Sequence, residues 1–156
     1  MTSDEMLERA AIQRLLADCV MAIDGGRLDD MLAHFTEDGI LETPRWTQRG
    51  RAAIGETLRT VASRRINPGR TFVRHHVTSS QLHLRDISHA AGRTYFIVFT
   101  DIGLDHAGFY EDRFRKIDDC WQIEYRKIHA DWIAPNSLSE LGAQPSHPFP
   151  DSHHPA

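Results

Sequence analysis

The sequence predicts an α+β fold, with helices first and an antiparallel sheet after them. Three observations carry this. Apolar residues recur at helical spacing through much of the first 65 residues. From residue 71 the chain turns to long runs rich in β-branched and aromatic residues. Short connections join those runs, which suits antiparallel neighbours.

Residues 5–24 read as an amphipathic helix. Ile12, Leu15, Leu16, Cys19, Val20 and Ile23 fall on one stripe, and Thr2 with Glu5 can form a capping box at its start. Gly25-Gly26 ends it. A second helix fits 28–36, with Leu28, Met31, Leu32 and Phe35 on one side. Asp38-Gly39 reads as a turn, and Ile40 to Thr43 as a short strand. A third helix fits 51–65, carrying Ile54, Leu58 and Val61, and Pro68-Gly69 breaks the chain after it. Strands are expected over 71–85, 92–101, 107–117 and 120–130. The intervening turns are 86–90, 103–106 and Asp118-Asp119. Five of the seven prolines follow residue 134, so the chain divides into a domain over 1–134 and a Pro/His-rich tail over 135–156.

Composition narrows the function classes. The 156 residues are 40% apolar and 26% charged, as in an ordinary globular domain. The net charge of −4 leaves no basic footprint for nucleic acid. No apolar run is long enough to span a membrane. The acidic start, Met-Thr-Ser-Asp-Glu, lacks the features of a signal peptide, so a cytoplasmic location is expected. Cys19 and Cys120 form neither a CxxC nor a disulfide framework, and reduced thiols are expected. No HxH, HExxH or Cys/His cluster suggests a metal. No GxSxG and no Gly-rich phosphate loop is present.

Asp24 is the first candidate for chemistry. It continues the buried stripe of Leu16 and Val20 and stands at the C-terminal end of its helix. Its plain alternative is a solvated residue in a helix-ending Asp-Gly-Gly turn. His75 and His76 follow. Adjacent strand residues face opposite ways, so one of the two looks inward. Arg126 lies beside Ile128 on one face of the last strand. It is either a packed stem with a solvated head or an anion contact in a pocket. The aromatic bulk comes from Tyr95, Phe99, Phe109, Tyr110, Phe114 and Trp132.

The stretches AIQRLLADCVMAIDGG, LAHFTEDGILE, GRAAIGETL, RHHVTSSQLHL and WQIEYRKIHADW occur in that order over residues 8–132. Together they resemble the SnoaL-like branch of the nuclear transport factor 2-like superfamily. Within it they resemble the scytalone dehydratase and hexachlorocyclohexane dehydrochlorinase group. The resemblance implies a cone-shaped α+β barrel, with helices on a strongly curved sheet around a pocket. It implies a cofactor-independent lyase of dehydratase type acting on a small hydrophobic, cyclic molecule, and a homo-oligomer, dimer or trimer. Asp24 matches the dyad aspartate and Arg126 a pocket arginine. His75 matches the dyad histidine, or His76 in the adjacent register. The substrate contacts are then expected from Cys19, Val20, His76, Tyr95, Phe109 and Trp132. One departure stands out: Cys19 occupies the helix-1 position where the family often carries a tyrosine or lysine. The same superfamily holds polyketide cyclases and isomerases. It also holds non-catalytic ligand binders and the β subunits of ring-hydroxylating dioxygenases, which form the alternative reading.

Overall fold

The computed structural model describes residues 2–64, 71–137, 139 and 141. Helix α1 spans Ser3–Asp24. Thr2 and Glu5 form the expected capping box, each satisfying the other's backbone N–H. Its inner stripe buries Ile12, Leu15, Leu16, Cys19, Val20 and Ala22. Each large apolar side chain so removed from water contributes about 1.5–3 kcal/mol. Helix α2 covers Leu28–Ala33, shorter than expected, and α3 covers Arg51–Arg64. The Pro68-Gly69 break and most of the 135–156 tail lie outside the described residues. Among the described residues, no helix is long and apolar enough to cross a membrane.

Six strands form one curved sheet in the order β2-β1-β6-β5-β4-β3. They are β1 (Phe35–Glu42), β2 (Thr47–Arg49), β3 (Val73–Leu84), β4 (His89–Thr100), β5 (Gly103–Ile117) and β6 (Cys120–Ile133). All neighbours are antiparallel except β1 and β6, which run parallel. The Asp118-Asp119 turn is present, and both residues take positive φ (48° and 61°), as a tight two-residue hairpin requires.

Three strand expectations need correction. Asp38-Gly39 is no turn. It lies inside β1, where the five steps from Phe35 to Ile40 oppose two steps of β6, so a bulge absorbs the turn-forming pair. Residues 103–106 already belong to β5, and Gly103 at φ 91° follows a tighter turn at Asp101-Ile102. The short strand β2 was not anticipated from the sequence.

Two further bulges decide what faces inward. In β3 the register slips between Val77 and Ser80, so Val73, His75 and Val77 share the inner face with Ser80 and Leu82. In β6 Glu124 is the extra residue, since Ile123 pairs with Phe114 and Tyr125 with Arg113. Strict alternation would separate Trp121 and Ile123 from Arg126 and Ala130. The bulge buries all four. Between them β5 and β6 approach so closely that a Cβ on Gly108 would sit 1.9 Å from the His129 carbonyl oxygen. Only glycine fits there.

Candidate active site

Between the helices and the inner face of the sheet lies a cavity of about 450 Å³. Its walls are mostly apolar and include Val20, Ile23, Phe35, Trp46, Leu58 and Phe96. His75, His106, Tyr110, Arg126 and Cys19 bring polar atoms to it.

Asp24 closes α1 with its side chain only 8% exposed. The carboxylate crosses to β3. Oδ2 accepts the His75 backbone N–H at 2.7 Å, and Oδ1 lies 2.5 Å from His75 Nδ1. Against an ionised carboxylate, which can only accept, a neutral His75 ring carries its proton on Nδ1 and keeps a lone pair on Nε2. The His75 side chain is 22% exposed and lines the cavity. The inner histidine is therefore His75. His76 points to the outer face, edge-on to Phe99 at 5.6 Å, and is not a cavity residue.

Arg126 is 5% exposed and holds Asp112 through two parallel hydrogen bonds of 2.8 Å. Burial pushes the Asp112 carboxyl up, against the pull of Arg126. Burial also opposes the charge on Arg126, but Asp112 outweighs it and holds the guanidinium above its ordinary value. The guanidinium keeps its proton and meets the carboxyl group in a bidentate geometry, which favours the ion pair. The Arg126 Nη1 edge remains, 3.8 Å from the Cys19 Sγ. Burial pushes that thiol up.

A second carboxylate–histidine pair stands in the wall. His106 Nδ1 lies 2.7 Å from Asp105 Oδ1. Asp105 also accepts from Thr100 Oγ1 at 3.0 Å and from Ser137 Oγ at 2.6 Å. Burial favours a protonated Asp105, yet these donors outweigh it and hold the carboxyl below its ordinary range.

His75, Arg126, Cys19 and Val20 thus line one cavity, and Asp24 stands behind His75 as its partner. Four expected substrate contacts do not line it: His76, on the outer face as described above, and Tyr95, Phe109 and Trp132. Tyr95 and Trp132 are half exposed on the outer face. Phe109 lies there too, stacked on His129 at 4.3 Å and beneath the Arg93 guanidinium. Strand alternation explains this: Phe96 and Tyr110 are the inward neighbours of Tyr95 and Phe109. Asp112, His106 and Tyr110 were missed as site residues. The even positions 106 to 114 of β5 carry the signal, since His106, Tyr110 and Asp112 alternate toward the same side as the buried Phe114. Among the described residues, no three His, Cys, Asp or Glu side chains gather to hold a metal ion.

A helical cap on a six-stranded curved sheet, with a cavity between them, defines a nuclear transport factor 2-like α+β barrel. The chain belongs to the SnoaL-like domain family, whose model matches residues 4–127. A protein of unknown function from Mycobacterium tuberculosis is similar at 28% identity. The match covers 88% of this chain and 83% of that one, with a TM-score of 0.74. A candidate scytalone dehydratase from Novosphingobium aromaticivorans is 19% identical over 98% of this chain and 100% of its own, at TM-score 0.76. The β subunit of a candidate aromatic-ring-hydroxylating dioxygenase from the same organism is 18% identical, over 87% and 97%, at TM-score 0.71. These last two likenesses show the fold alone. No curated protein matches the chain.

Proposed function

We propose that this protein is a lyase of dehydratase type, using Asp24 and His75 to remove a proton from a small, hydrophobic, cyclic substrate. The observation that carries the reading is an imidazole fixed by a buried carboxylate at the wall of a mostly apolar cavity. His75 Nε2 takes a proton from the carbon next to a carbonyl. The C–H electron pair forms the C=C bond as the bond to a leaving oxygen breaks. The imidazolium, stabilised by Asp24, returns its proton to that oxygen, and water leaves. The Arg126 Nη1 edge supports the negative charge that develops. Every step uses groups of this chain.

The bicyclic ketone 1-tetralone tests the shared first step, because its protons beside the carbonyl can be followed by NMR in D₂O. The wild type is expected to speed deuterium entry over the His75→Gln variant by about 10²–10⁴-fold, the usual reach of a positioned acid–base group. Equal rates for the two proteins would contradict the proposal.

A homo-oligomer belongs to the same reading. Tyr95, Phe99 and Trp132 stand 41–49% exposed on the outer sheet face, a surface that a second copy would cover.

A further inference from the structure

A base alone does not make a carbon acid reactive: the carbonyl oxygen must be given a hydrogen-bond donor as charge moves onto it. On α1, the polar side chain that lines the cavity is Cys19, a weak donor whose sulfur faces Arg126 Nη1. Asp24 is an acceptor, and His75 Nε2 carries the lone pair. Other donors stand on the wall, and two of them, the Arg126 edge and the phenol of Tyr110, pack against each other beside Cys19.

Tyr110 stands on the inner face of β5, 6% exposed, and lines the cavity. Its ring is clamped by Phe96, stacked at 4.6 Å, and by the Arg126 guanidinium 4.2 Å from its centroid. This clamp fixes where the hydroxyl points. No group among the described residues hydrogen-bonds that hydroxyl, and the oxygen is not sealed in the core as the Thr36 hydroxyl is. The space it opens to is the cavity. Burial holds the phenol well above its ordinary value; beyond burial it feels Arg126, Cys19, Asp112 and Asp24, which places it among the site's own residues. It therefore stays an O–H donor throughout the physiological range.

We infer that Tyr110 is the donor that binds and polarises the substrate oxygen, supplying from the sheet what Cys19 does not supply from α1. The ligand class follows: a cyclic ketone or its enol, with the ring among the apolar walls and the oxygen on Tyr110. This rests on the reading of the cavity as a site for proton removal beside a carbonyl.

Bound 1-tetralone reports on it directly through its carbonyl stretch, with tetralin as the ring lacking the oxygen. The stretch is expected to move to lower wavenumber in the wild type, and this shift is lost in Tyr110→Phe. Affinity for tetralone falls about two- to tenfold, the worth of one neutral hydrogen bond, while tetralin binding is unchanged. His75→Gln keeps the shift. Failure of the wild type to bind tetralone, or the same stretch in wild type and Tyr110→Phe, overturns the inference. A shift lost in His75→Gln but kept in Tyr110→Phe also overturns it and leaves the Asp24–His75 reading standing. A Tyr110-dependent shift without His75-dependent exchange upholds the donor and refutes the base.

Discussion

Asp112→Asn is expected to destabilise the fold by about 3–5 kcal/mol, the loss typical of removing one partner from a buried ion pair. The carboxylate has 2% of its surface exposed and makes both hydrogen bonds to Arg126. Asparagine offers one acceptor oxygen to two N–H donors, and the guanidinium keeps its charge. The wild type and variant can be compared by urea unfolding at neutral pH. The double variant Asp112→Asn/Arg126→Met removes the stranded charge and is expected to recover most of the loss. A single variant within about 1 kcal/mol of the wild type would mean that Arg126 is satisfied elsewhere. The same pairing constrains the chemistry: Arg126 offers the cavity one guanidinium edge rather than a free cation.

The second large effect is on turnover. His75→Gln and Asp24→Asn are each expected to slow 1-tetralone exchange by about 10²–10⁴-fold, and the double variant is expected to be little slower than His75→Gln alone. The reason is geometric. Both Asp24 oxygens are occupied, one by the His75 backbone N–H and one by the ring. An asparagine has only one acceptor oxygen. If it serves the backbone, its NH₂ faces Nδ1 and forces the ring proton onto Nε2, where the base is needed. Losses that multiply in the double variant would show two independent residues instead of a unit.

The fold was legible where local pattern and tertiary structure agree. The stripe from Ile12 to Val20, the capping box and the Asp118-Asp119 hairpin are local features, and the structure keeps them. Asp24 was legible for the same reason, since helical spacing carries it one turn beyond the buried Val20. Legibility ended at the bulges. One extra residue reverses the facing of everything beyond it, and neither Glu124 nor the Thr78-Ser79 region marks itself as such in the sequence. Asp112 was invisible because a charged strand residue reads as solvent-facing until its partner is known. That partner, Arg126, stands on the neighbouring strand. Tyr95, Phe109 and Trp132 mislead in the opposite sense: aromatic bulk suggests a pocket, while alternation puts them on the other side of the sheet.

The central claim is that Asp24 holds the His75 ring so that Nε2 faces the cavity as a base. The most direct measurement requires no substrate. Imidazole ¹⁵N–¹H correlation spectra, with His75 assigned from His75→Gln, report which ring nitrogen carries the proton in the neutral form. The protein is expected to show the Nδ1–H tautomer at His75, and Asp24→Asn is expected to switch it to Nε2–H. An Nε2–H tautomer in the wild type, or a tautomer indifferent to Asp24, would contradict the account.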